Sequence, residues 1–354
     1  MMKYTLPFVL CGALASCAST SSVEQQDFAW QKLNQLTGEV NGIGARPAGT
    51  AKEQEAADWI KAQWQAQGHK VKEFRFEAKV KGQAVPSSNL SITLPGKSEQ
   101  ILIIGAHFDS TGEERGSLGA IDNGSGVAAI IDLARRLANK SLPYTLRLVA
   151  FGAEEHGLQG SYAYVNDKHE SLANVIGMIN LDTIIGGDKL YVHSANVHPY
   201  DCKKIENPNY LATAKLRDGL INVSQSLFGD EAHALHPPYR GYPAGQTGSW
   251  SDHAPFACSG IPIAYLEATN FGIKGRSGND GYSQTEHPDV WDCFKEQGKT
   301  ACNRFTEKKW GMIWHTQFDR LDKLNAMFGG RLKSQLEQNV DVLESYVLNL
   351  DQHL

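Results

Sequence analysis

The 354-residue sequence contains no Cys-x-x-Cys pair, no Gly-x-Ser-x-Gly turn, no block of clustered Lys and Arg, and no apolar run long enough to span a bilayer. Each absence removes a class of function. Without paired cysteines a thiolate zinc site has no ligands. Without the glycine-flanked serine an α/β-hydrolase nucleophile has no turn to sit on. A net charge of −5 with neutral histidines, and no basic stretch, gives nucleic acid nothing to hold, because a mildly acidic surface repels phosphates. The apolar run Leu6–Leu14 is too short for a permanent membrane helix. What remains is ordinary for a folded chain: 41% hydrophobic and 21% charged residues argue against disorder and supply a substantial core.

The start of the chain reads as an export signal. Met1-Met2-Lys3 is a short positive start, Leu6–Leu14 is an apolar segment of signal length, and Leu14-Ala15-Ser16-Cys17 follows. That tetrapeptide resembles a bacterial lipobox, in which Cys17 carries lipid. The plain alternative is cleavage after a small residue. Ala18 stands where an aspartate would favour retention at the inner membrane, so a periplasmic, outer-membrane lipoprotein is expected. Residues 1–17 are then the signal, 18–27 a Ser/Thr/Gln-rich tether and 28–354 one catalytic domain. Cys202, Cys258, Cys293 and Cys302 remain, and an even number in an exported protein suggests two disulfides. Of the three possible pairings, a short local loop favours Cys293–Cys302, which leaves Cys202–Cys258.

Hydrophobic periodicity orders the rest. Helices are expected over Phe28–Val40, from a Thr50 cap to Gly68, over Val127–Ala138, from Gly157 to Val165, and over Leu332–Leu350. Val71–Val80 alternates as an exposed strand does, and Ser87–Leu94 is a further candidate. Ile101–Ala106, Leu146–Phe151, Val175–Leu181 and Ile261–Leu266 are continuous apolar runs of buried strands. Residues 196–250 and 270–314 read as loops. No repeat or linker divides the chain. Strands alternating with helices imply an α/β fold: a single-domain α/β/α sandwich around a mixed, largely parallel sheet.

The strand ends carry chemistry. Open α/β sheets bind ligands beyond the carboxyl ends of their strands. There the sequence places His107, then Glu154 and Glu155, then Asp182, with Asp122 in the Asp122-Asn123-Gly124-Ser125-Gly126 loop. Oxygen and imidazole donors without thiolate suit zinc. Two ions close together need a shared carboxylate, and Asp122, in a glycine-rich loop able to turn it inward, fits that task. His107 and Asp182 would complete one ion, and Glu155 with a late histidine the other. Neighbouring side chains on an extended segment point oppositely, so Glu154 would face the reacting water as general base. Asp109 is placed to accept the second ring proton of His107. Spacing alone does not choose the late histidine, since His198, His233, His236, His253, His287 and His315 all compete.

Ala106-His107-Phe108-Asp109-Ser110, Asp122 to Gly126, Ala153-Glu154-Glu155-His156-Gly157-Leu158-Gln159-Gly160-Ser161, Asn180-Leu181-Asp182, Ser251-Asp252-His253-Ala254-Pro255-Phe256 and His315-Thr316 occur in that order. This set resembles the co-catalytic zinc aminopeptidases of clan MH, over roughly residues 40–350. Gly187-Asp188-Lys189-Leu190-Tyr191, Glu267-Ala268-Thr269-Asn270 and Asp280-Gly281-Tyr282 look most like the branch of alkaline phosphatase isozyme conversion aminopeptidases, associated with N-terminal arginine. The resemblance implies a metallo-exopeptidase with two zinc ions per chain acting on peptide or protein N-termini. His107 and Asp182 would hold one zinc, Glu155 and His315 the other, Asp122 both, with Glu154 as base and a cis peptide after Asp122. Asp252 would support the ligands from behind. Glu267 and Asp280 are candidates to receive a basic first residue. Two alternatives share the fold: a single-zinc glutaminyl-peptide cyclotransferase, and a carboxypeptidase, which needs a cationic site for the substrate's terminus.

Overall fold

A computed structural model describes Met1 and residues 27–353, except 168–171, 240, 276, 277, 280 and 304. The expected signal segment with Cys17, residues 18–26 of the tether, and Asp280 lie outside the described residues.

Apolar runs bounded by turns form the middle of the sheet. Strands β1 (Lys72–Val80), β2 (Gln83–Leu94), β3 (Gly96–His107), β4 (Leu142–Phe151), β5 (Val175–Leu181), β6 (Lys189–Ala195), β7 (Gln246–Thr247) and β8 (Ile263–Thr269) make one eight-stranded sheet ordered β1-β2-β4-β3-β5-β8-β6-β7. The β4-β3-β5-β8 centre is parallel, while β1 and β2 on one side and β6 on the other join antiparallel. The sheet is therefore mixed and parallel at its heart, as expected.

Period-two alternation sends side chains to both faces. Leu102, Ile104, Leu146, Leu148, Ile179 and Leu181 pack in the larger core with Leu33 of α1 (Phe28–Thr37), Ile60 of α2 (Ala51–Ala66), Ile130 of α3 (Ser125–Leu137) and Leu343 of a later helix, Arg331–Leu348. Ile103, Val149 and Met178 face the other way. There Phe151 packs against Tyr164 of α4 (Gln159–Val165) and Phe256 of the helix His253–Cys258, with ring centroids 5.7–6.0 Å apart. Covering both faces of the central strands is what makes their sequences continuously apolar.

Several elements depart from the sequence reading. The stretch 196–250, expected as loop, contains α5 (Lys215–Phe228), followed by α6 (His253–Cys258). Helix α5 buries Leu216, Leu220 and Val223, but Gly219 and the polar residues between them blunt its periodicity. Gly219 lies where an added Cβ would meet the Tyr346 ring. Strand β6 was not anticipated, because Lys189, His193 and Ser194 interrupt its apolar character. A further helix, α7 (Leu321–Phe328), precedes α8 (Arg331–Leu348). Within 270–314 a two-stranded hairpin, β9 (Phe294–Lys295) and β10 (Thr300–Ala301), is closed by the Cys293–Cys302 disulfide. Cys202–Cys258 is the second disulfide and ties the 196–214 segment to the end of α6, where Asn209 and Leu211 also donate to the Cys258 and Ala257 carbonyls. No helix among the described residues is long and apolar enough to cross a membrane.

Candidate metal centre

The parallel strands end at one rim, and their ends carry the candidate ligands. His107 is the last residue of β3, Asp182 follows β5 directly, and Glu154 and Glu155 follow β4 after a two-residue turn. Asp122 sits in the turn Ala120–Gly124 that leads into α3, and its peptide bond to Asn123 is cis. His315, with backbone φ of 59°, lies in the loop before α7. Glu154 and Glu155 are not on an extended segment. They start a 3-10 turn after Ala153, which takes left-handed φ of 55° and bends the chain sharply off the strand.

Six side chains gather there as two groups, His107 with Glu154 and Asp182, and Asp122 with Glu155 and His315. Asp122 belongs to both by its distances. Its Oδ1 stands 3.2 Å from His107 Nε2 and its Oδ2 stands 3.0 Å from His315 Nε2. His107 Nε2 is also 3.4 Å from Asp182 Oδ1 and 3.9 Å from Glu154 Oε2. His315 Nε2 is 2.7 Å from Glu155 Oε2. Donors around a tetrahedral zinc with bonds of about 2.0–2.1 Å stand about 3.3 Å apart, so the His107 spacings suit donors pointed at a common ion. His107 Nε2 and Asp182 Oδ1 are buried without a hydrogen-bond partner among the described residues. Leaving such atoms unsatisfied is costly, and a cation would relieve it.

Charge points the same way. Burial pushes Glu155 up to about 7, with Asp122 adding to the rise. Burial also holds Glu154 and Asp182 above the ordinary carboxylate range, although His107 pulls both down. Burial opposes the charge of His315, yet Asp122 and Glu155 lift it to about 10. The two groups contain four carboxylates. Two divalent cations carry the matching four positive charges and would remove this competition for protons. The donor set fits zinc.

The surrounding residues fix the donors. Asp109 accepts the amides of Glu154 and Glu155 at 2.9 and 3.2 Å, holding the turn that carries both glutamates. It also stands at the second ring nitrogen of His107: Nδ1 lies 3.2 Å from the Asp109 backbone carbonyl and 3.6 Å from its carboxylate. Asp182 Oδ2 accepts from the Ser251 hydroxyl at 2.7 Å, and Asn180 donates to that hydroxyl at 2.7 Å. Sequence reasoning assigned Ser251 and Asn180 no role, though both fall inside the quoted motifs. Asp252 is fully buried near these groups, and burial pushes it up to about 7. Glu267, on β8, accepts from the Tyr265 hydroxyl at 3.2 Å, and its Oε1 lies 2.8 Å from His193 Nε2.

Three of the competing histidines are engaged elsewhere. His233 contacts Ser224 and Asn339, His236 lies between the Pro237 and Gln246 carbonyls, and His253 lies 2.7 Å from the Gly248 carbonyl. His315 alone among the candidates stands beside Asp122 in the described groups.

The sequence matches peptidase family M28 over residues 89–336. It is 29% identical over 260 residues to the alkaline phosphatase isozyme conversion protein of Escherichia coli, a match covering 68% of this chain and 71% of that protein. In fold it is similar to a zinc aminopeptidase from Bacillus subtilis, with a TM-score of 0.62 at 18% identity over 91% of this chain and 95% of that one. It is also similar to a glutaminyl cyclase of Porphyromonas gingivalis, with a TM-score of 0.61 at 20% identity over 94% and 98% of the two chains. At such identities the two structures bear on the fold alone.

Ser251→Ala removes the hydrogen bond that orients Asp182 and is expected to weaken zinc binding about 10–100-fold. Competition against a chromophoric chelator reads this, and an unchanged affinity would remove Ser251 from the account.

Proposed function

The chain belongs to peptidase family M28 and is a zinc-dependent hydrolase, and on that premise we propose that it removes the N-terminal residue from peptides or proteins with two zinc ions. One observation carries this reading: the two oxygens of Asp122 face two different imidazole–carboxylate groups. In it His107 and Asp182 would hold one ion, Glu155 and His315 the other, and Asp122 both. The ions would supply Lewis acidity to the scissile carbonyl and lower the pKa of the attacking water. A single-ion cyclase would have no use for the second group, which favours the exopeptidase.

Glu154 is the proton carrier. Its carboxylate is buried beside the His107 group, and its backbone is fixed by Asp109. It takes a proton from water as the water oxygen bonds to the carbonyl carbon. It then delivers that proton to the departing amine nitrogen as the C–N bond breaks. Asp109, Ser251 and Asn180 hold the participating carboxylates in place, so little reorganisation accompanies the step.

Glu267 is read as the fixed negative charge that favours a basic first residue, since on β8, at the rim side of the sheet, it accepts from Tyr265 and lies beside His193. An oxidising compartment suits the two disulfides. Lipid on Cys17 would hold the enzyme at a periplasmic membrane face.

Glu154→Gln should keep its zinc and lose at least about a hundredfold in kcat; unimpaired turnover would remove Glu154 as base. Wild type should prefer arginyl and lysyl over leucyl aminoacyl substrates, and Glu267→Gln should narrow that preference; leucine winning in wild type contradicts the acidic pocket. Cys17→Ser should move the protein from the membrane to the soluble fraction of fractionated cells, and an unchanged distribution would rule out the anchor.

A further inference from the structure

The Asp122–Glu155–His315 group can close only if two loops nearly two hundred residues apart meet in register. Asp319, four residues beyond His315 and fully buried, spans them. Its Oδ1 accepts the Ile121 amide at 2.6 Å, and its Oδ2 accepts the Ser117 hydroxyl at 2.8 Å. Its own carbonyl accepts the Leu118 amide at 3.0 Å. Ile121 immediately precedes Asp122. The same 117–121 loop is held from its carbonyl side by Arg46, whose buried guanidinium donates to Leu118 and Gly119 at 2.9 and 3.0 Å, and to Gly44 and Phe108 at 2.7 Å each. Arg46 thus also reaches the residue after His107, whereas the side chain of Asp319 reaches only the loop that leads into Asp122. In the His107–Asp182 group Asp182 takes its order from Ser251 and Asn180, while Asp109 holds the turn that carries both glutamates.

We propose that Asp319 is a positioning residue that sets the separation of His315 from Asp122 and so governs the ion of the Glu155–His315 group, the second ion, more strongly than that of the His107–Asp182 group, the first. This rests on the two-ion reading. Asp319 touches neither a metal donor atom nor substrate; it acts through the Ile121 amide and through the short turn between His315 and itself. In that turn the Thr316 amide bonds the Ile313 carbonyl and the Asp319 amide bonds the Thr316 carbonyl. A residue that merely stabilised the fold would weaken both ions together. A residue that sets one group would split them.

The test is a calorimetric titration of Zn2+ into metal-free full-length protein, with circular dichroism to verify folding. Wild type should bind two ions. Asp319→Ala should bind the first within about threefold of wild type and the second at least about tenfold more weakly, the range that loss of a ligand-orienting partner produces. Asp319→Asn can still accept from Ile121 while donating to Ser117, and it should restore the second ion. If Asp319→Ala does not fold, Asp319→Glu, which keeps the charge but lengthens the reach, should show the same split. Equal weakening of both ions, or undiminished binding of the second, overturns the inference. A wild type that binds one ion overturns the two-ion reading and this inference with it.

Discussion

The carboxylate of Asp122 is the constraint on which the rest of the structure turns. One oxygen faces His107 and the other faces His315, so the strand ends, the α3 entry turn and a loop late in the chain must converge on a single side chain. A parallel β4-β3-β5 centre supplies the first of these components directly, because His107, the two glutamates and Asp182 all lie at the same ends of their strands. The remaining components come from loops, whose placement depends on long-range hydrogen bonds instead of sheet register.

Burying this many carboxylates is unfavourable unless a compensating charge is present. The structure spreads the cost across donors already held in place: Asp109 receives two main-chain amides and Ser251 orients Asp182. Arg46 puts a buried cation behind the site, bonded to four carbonyls. Rigid donors around a charged pocket favour a divalent cation, and they reduce what must reorganise when charge develops on a substrate. The same rigidity accounts for Ala153 in a left-handed conformation: the chain turns abruptly off β4 so that consecutive glutamates can join different groups.

Much of this was legible in the sequence, and the reason is local. Strands β3, β4 and β5 are apolar runs because both their faces are covered, and α8 shows its stripe because one face is. The disulfide partners Cys293 and Cys302 are near neighbours in sequence. What escaped was either blunted or distant. Helix α5 carries Gly219 and polar residues within its buried stripe, and β6 mixes Lys189, His193 and Ser194 into an apolar segment. The extended geometry expected for Glu154 and Glu155 gave way to a 3-10 turn, because left-handed Ala153 is invisible to periodicity. Ser251 and Asp182 are 69 residues apart, Arg46 and Leu118 are 72, and Asp319 and Ile121 are 198. No local pattern announces such pairs. His315 was singled out from its rivals by resemblance, and the fold then sets it beside Asp122.

Diffraction data collected on either side of the zinc absorption edge, from crystals of the purified full chain, test the shared-carboxylate arrangement most directly. The account requires two anomalous peaks flanking Asp122, one against His107 and Asp182 and the other against Glu155 and His315. A single peak, or two that leave Asp122 bound to only one of them, would contradict it.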